Sequence, residues 1–237
     1  MLDIILVNLI LIVGAVVQGV VGYGIALICA PLLFLIDPTY IPAPMIMASM
    51  LLNFLLMHRE RQALQFGDIT WASVGNAFGV ACAALVLLYV AGDKFNLVFG
   101  GLILFAVALS LSGYKPAITP GSSIIAGFAS GFMGTCTSVG GPPVALLYQS
   151  ASIQVIRANL PAFFFFSSIL ALIALAATGH MSWIDIRAFL AGIPGILLGF
   201  YISHYAKGWL GNLSLRPFIL GIASISALWA IIDGIWF

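Results

Sequence analysis

The stretch G-F-M-G-T-C-T-S-V-G-G-P-P, from Gly131 to Pro143, interrupts an apolar run that extends from about Ser123 to Tyr148. It places four glycines, two prolines and three hydroxyl side chains in thirteen positions. Proline removes a backbone donor and glycine loosens a helix, so N–H and C=O groups are released where hydrocarbon offers them no partner. Backbone of that kind is tolerated at membrane depth only when it is buried in protein or faces a polar cavity. The stretch therefore reads as half of a site made from interrupted helices.

The composition around it fixes the solvent. Of 237 residues, 63% are apolar and 6% are charged, and the mean hydropathy is +1.20, whereas soluble domains carry about 25% charged residues. Apolar stretches long enough to span a bilayer, without the alternation of a barrel, predict an all-α, polytopic protein with lipid as its first partner. Polar gaps reach only about ten residues, which leaves no soluble domain and disfavours water-soluble catalysis. A net charge of +1 without a basic run gives no grip on phosphates and sets nucleic acid aside. Cys29, Cys82 and Cys136 lie in apolar segments without C-x-x-C spacing and read as small packing residues. Met1-Leu2-Asp3 lacks the basic start of a cleaved signal, so the first apolar segment is expected to stay in the protein.

Outward from the central break, eight apolar segments emerge, two of them interrupted. Ile4 to Ile36 is too long for one straight span and has its own break at Gly19-Val-Val-Gly22-Tyr-Gly24, with Asp37-Pro38 ending the second piece. Ile41 to Met57 follows, then about Ile69 to Val90 with Asp68 at its start, and Phe95 to Leu111. Residues 113–122, rich in turn formers, form a linker between a first membrane repeat over 1–112 and a second over 123–237. After the broken segment come a polar gap from Gln149 to Asn159, then Leu160 to Ala177, about Trp183 to Tyr205, and about Phe218 to Phe237.

A shift of 112 residues superposes Gly19 on Gly131, Gly22 on Gly134, Pro31 on Pro143, Phe54 on Phe166, Gly67 on Gly179 and Trp71 on Trp183. One ungapped offset satisfying six positions points to an internal duplication. Duplicated membrane chains with matching interrupted segments are the signature of transporters whose site forms where the broken helices meet. If every segment crosses, Arg59, Arg61, Lys115 and Arg187 face Lys94, Arg157, Lys207 and Arg216, an even division. If Ile25–Ile36 and Ile41–Met57 form a re-entrant hairpin, and their counterparts likewise, Arg59, Arg61, Lys115, Lys207 and Arg216 share a face against Lys94 and Arg187. The second arrangement restores a positive-inside bias and makes the repeats inverted, and it is the one expected.

A helix that starts after a glycine-rich break presents unpaired amides and the positive end of its dipole, which hold an anion without a buried cation. The candidate substrate-binding residues are Gly134, Thr135, Cys136, Thr137, Ser138, Gly140, Gly141 and Pro142, with Gly22 and Gly24 opposite and Arg157 in support. The hydroxyls are read as added donors, the glycines as points of close approach, and Arg157 as steering an anion at the cavity mouth or anchoring at the interface. A tightly packed kink is the alternative for both breaks. Asn53, Asn76 and Gln18 read as interhelical packing groups. No carboxylate falls mid-span, and His58, His180 and His204 lie at segment ends without ligand spacing, so no metal, cofactor or proton relay is expected. An intramembrane enzyme using Ser138 or Cys136 is the alternative of a different class, although G-x-S-x-G is absent.

Two halves that each open with a glycine-broken helix and carry Gly-x-x-x-Trp before a later segment resemble the TauE/SafE family of sulfite and organosulfonate exporters. The family pattern runs close to G-x-x-G-x-G-G-G with a following proline. This chain keeps Gly140-Gly141-Pro142-Pro143 but has Cys136-Thr137-Ser138 at positions usually small or apolar, and Tyr23-Gly24-Ile25 instead of consecutive glycines. The resemblance implies a transporter of small sulfur-containing or carboxylate anions in a bacterial inner membrane, working by alternating access. A passive anion channel is the runner-up. A coupling proton or ion and a homodimeric assembly are further expectations that no residue singled out here carries.

Overall fold

The computed structural model describes residues 2–89, 93–113 and 116–210, and ten further positions between Leu220 and Ile232. Among the described residues nine α-helices succeed one another: α1 (Leu2–Val21), α2 (Ile25–Ile36), α3 (Ala43–Arg59), α4 (Phe66–Tyr89), α5 (Asp93–Leu111), α6 (Pro120–Thr137), α7 (Gly141–Tyr148), α8 (Ile153–Ala177) and α9 (Trp183–Leu210). The described positions from Leu220 to Ile232 are helical as well. Four of these helices, within α1, α4, α8 and α9, are long and apolar enough to cross a bilayer. Phe78, Ile125, Ile173 and Ile184 point outward, each more than 60% exposed, as side chains facing lipid do. The chain is a multi-pass membrane protein.

Helix starts follow local chemistry. Thr119 and Ser122 form a capping box around the Pro120 start of α6, so the last three residues of the expected linker are already helical. Ser152 caps α8 by accepting from the Val155 amide. The polar gap expected from Gln149 to Asn159 is thus mostly the first turns of α8, and Arg157 and Asn159 stand on a helix rather than a loop. The Lys115 and Arg216 positions lie outside the described residues.

The contacts fix the direction of each helix. Along α1 and α9, Asn8 meets Ala191 and Gly195, Gly199 packs on Ile12 and Ala15, and Gly19 on Ser203, so these two run parallel. On the same sense, α3 starts beside Val7 and Leu11 and ends with Arg59 bonded to the Gly19 carbonyl. α4 runs parallel to α6 through Gly75 on Ile124 and Gly79 on Phe128, and parallel to α8 through Gln65 on Asn159 and Asn76 on Ser167. α3 and α8 are antiparallel: Phe54 meets Phe165, while Ala43 and Ile46 share a cluster with Ala171 and Leu175. Hence α1, α3 and α9 point one way and α4, α6 and α8 the other. Under the shift that pairs α1 with α6, α3 with α8 and α4 with α9, every pair is opposed, the relation that inverted repeats require.

Two expectations need correction. α2 folds back along α1 rather than pairing chiefly with α3, since Cys29 Sγ donates to the Ile10 carbonyl and Gly14 lies against Cys29 and Ile25. The second break also sits later than the shift projects: the first occupies 22–24 and the second 138–140, about one helical turn beyond 134–136. Pro31 lies inside α2, whereas Pro143 is in the first turn of α7, so these prolines are not structural counterparts.

Candidate functional site

Each break is a tight turn held by one polar side chain from the preceding helix. In the first, Gly22 and Gly24 take φ of 99° and 120°, a region open to glycine and strained for other residues. Gln18 clamps that turn: its Oε1 accepts from the Ile25 amide at 2.9 Å and its Nε2 donates to Asn53 Oδ1 at 2.6 Å. In the second, Ser138 ends α6 in the left-handed region at φ 66°. Its hydroxyl donates to the Pro42 carbonyl at 3.0 Å, and Ser130 Oγ donates to the Gly140 carbonyl at 2.6 Å. The turn of each half is thereby tied to α3.

The two turns meet across a cavity of about 50 Å³ where α3 crosses α8. The first contributes Gln18, Tyr23, Gly24, Ala26 and Leu27; the second contributes Gly134, Ser138, Gly140, Gly141 and Pro142. Ile46, Ser49 and Asn53 on α3 and Phe164, Ser167, Ser168 and Ala171 on α8 line the facing walls. A water needs about 10–15 Å³ of such space, so the volume matches a few waters or one small oxyanion. The described residues lining it include no Asp, Glu, His, Lys or Arg.

Donors nevertheless converge there. The first hydrogen bond inside α2 runs from the Ile28 amide to Gly24 O at 3.2 Å, so the Ala26 and Leu27 amides lie in the first turn, without an intrahelical acceptor. In α7, Pro142 and Pro143 have no N–H, which leaves the Gly141 amide as the first-turn donor beside the cavity. Ser49 is 8% exposed and its hydroxyl has no partner. A buried orphan hydroxyl costs about 1–3 kcal/mol, and Ser49 lines the same cavity as the first turns of α2 and α7.

Of the residues expected from the sequence, Gly24, Gly134, Ser138, Gly140, Gly141 and Pro142 border the cavity. The others are placed elsewhere. Thr135 and Thr137 return their hydroxyls to the Gly131 and Met133 carbonyls, both at 2.8 Å, and Ser138 donates to Pro42, so the three hydroxyls serve the turn and are not spare donors. Cys136 is packed in an apolar cluster. Gly22 lies against the backbone of Ile156 and Arg157, and Arg157 Nε donates to the Val20 carbonyl. Together with Arg59, whose guanidinium donates to Gly19 O at 2.9 Å and Ser203 Oγ at 2.8 Å, it caps the C-terminal, negative end of α1. Arg157 thus closes a helix end and does not line the cavity.

Sequence reasoning missed Ser49, Ser167 and Ser168, and read Gln18 and Asn53 as packing groups. Their one visible signal was polarity at the spacing of a helix face, Ser49 and Asn53 four apart on α3. The family model of the sulfite exporter TauE/SafE matches residues 6–230, nearly the whole chain. This chain belongs to the TauE/SafE family. No match was found among curated proteins or among solved structures. Membership makes the chain a membrane transport protein of a sulfite exporter family, and the cavity between the broken helices is the place in this TauE/SafE protein where an anion would meet two dipoles.

Proposed function

We propose that this protein is a secondary transporter of small sulfur-containing oxyanions, sulfite or a short-chain sulfonate, that alternately exposes the central cavity to the two faces of a bacterial inner membrane. The observation that carries the reading is a cavity without charged side chains among its described lining, bordered by the first turns of α2 and α7 and by Ser49, whose buried hydroxyl has no partner. Neutral donors and helix dipoles stabilise one negative charge and, without a cation, penalise a second. The apolar side of the wall, Ile46, Phe164 and Ala171, suits the alkyl end of a sulfonate. The division into two repeats, 1–112 and 123–237, joined by 113–122, supplies the mechanism: opposed halves exchange conformations about a fixed centre.

The test is binding and counterflow with the purified protein in proteoliposomes. Methanesulfonate should raise the melting temperature and drive saturable counterflow, which a passive channel does not support. Gly141→Leu should abolish both, because a Cβ at Gly141 has free space except for the Tyr23 ring at 3.7 Å, so the added side chain fills the cavity rather than breaking the turn. Retained binding in that variant overturns the site.

A further inference from the structure

One side chain divides two cavities. Tyr23 and Pro142 border the central cavity and also a second one of about 40 Å³, whose remaining lining is Ser110, Ala145, Leu146 and Gln149. The Tyr23 ring closes the seam between the two broken-helix tips, since its edge is the nearest group to a Cβ built on Gly141. Tyr23 is flanked by Gly22 and Gly24, both at positive φ, and a change of backbone angle at Gly24, where a Cβ would meet only Val17 at 3.9 Å, would re-aim the ring.

The second cavity also has a definite side. Gln149 directly follows α7 and lies three residues before Ser152, the cap of α8. Arg157 in the next turns of α8 meets the end of α1, as Arg59 at the end of α3 does. The cavity therefore lies toward the face that carries Arg59, Arg61 and Arg157.

We infer that the second cavity is the vestibule of the transport path on the arginine-bearing face, and that Tyr23 is the gating residue between it and the central cavity. The inference rests on reading the central cavity as the transport site, but its test uses no anion. The full chain with Cys82→Ala is reconstituted; Cys29 and Cys136 are buried. A small cationic methanethiosulfonate is then applied from the arginine-bearing face. Gln149→Cys should label from that face at the same rate whatever stands at position 23. Ser49→Cys should label slowly with Tyr23 and at least about tenfold faster with Tyr23→Ala, in proportion to the open population. Tyr23→Leu serves as the open variant if Tyr23→Ala does not elute as a single species.

Equal Ser49→Cys rates with and without the ring, or labelling of Gln149→Cys only from the opposite face, would each overturn the gate. Failure of the transport reading looks different: methanesulfonate neither binds nor exchanges, and the labelling pattern is untouched.

Discussion

At the level of single residues, the cavity separates groups that build the turn from groups left over for a ligand. Gln18, Ser130, Thr137 and Ser138 are all spent on backbone partners, whereas Ser49 is not. A hydrogen bond to a charged partner contributes about 1.5–3 kcal/mol, so Ser49→Ala should weaken methanesulfonate binding about tenfold or more. The empty protein should be no less stable, because no protein bond is lost. Calorimetry with a thermal melt of the ligand-free protein checks both signs together. Gln18→Leu should do the reverse. It strands the Ile25 amide and Asn53 Oδ1 in a buried site, each at a cost of about 1–3 kcal/mol, so the ligand-free melting temperature falls. With no Asp, Glu or His among the described lining residues, the affinity for methanesulfonate, itself ionised throughout, should stay flat between about pH 5.5 and 8.5. A bell-shaped or sigmoidal profile there would show a titrating protein group at the site.

Among elements, close packing of glycine-lined helices holds the halves together. A Cβ at Gly75, Gly79 or Gly127 would run into the carbonyl oxygen of Ile124, Phe128 or Ala72, so α4 and α6 touch backbone to backbone, as small-residue interfaces in membranes do. Gly127→Leu should therefore split this pair and abolish monodisperse purification, while Gly101→Ala, with open space around it in α5, should be neutral or slightly stabilising; fluorescence size-exclusion chromatography compares them. Gly75 and Gly79 stand four apart in the sequence, the spacing of one helix face. Both breaks were legible, through Gly22, Gly24, Gly140, Gly141 and Pro142. Their geometry was not: a glycine-rich gap reads the same whether the chain continues or folds back, and the reversal depends on Gln18 and Ser130 bonding across the turn. The roles of Thr135, Thr137 and Ser138 were misread for a related reason, since a hydroxyl in a helix can satisfy its own backbone four residues earlier. The start of α8 at Ile153 was hidden by the polar run from Gln149 to Asn159, which resembles a loop in composition while Ser152 caps it as a helix.

Across the whole molecule, the opposition of α1, α3 and α9 to α4, α6 and α8 determines which turns share a face. The turn after α3 carries Arg59 and Arg61, and Arg157 stands near the start of α8 on that same face; Arg187, early in α9, lies toward the other. Cations collect on the cytoplasmic side of membrane proteins, so the Arg59 face should be inside. The turns at 60–65 and 178–182 occupy the same place in the order of elements, the one between α3 and α4 and the other between α8 and α9, and inversion requires them to lie on opposite sides of the bilayer. Both contain exposed positions, Gln62 and His180. In intact cells a membrane-impermeant maleimide should therefore label His180→Cys directly and Gln62→Cys only after permeabilisation, each in the Cys82→Ala background. Labelling of the two from the same side would remove the inversion and with it the alternating exchange of two opposed halves; the reverse pattern would keep the inversion and turn the whole molecule over, moving the Tyr23 vestibule to the outer face.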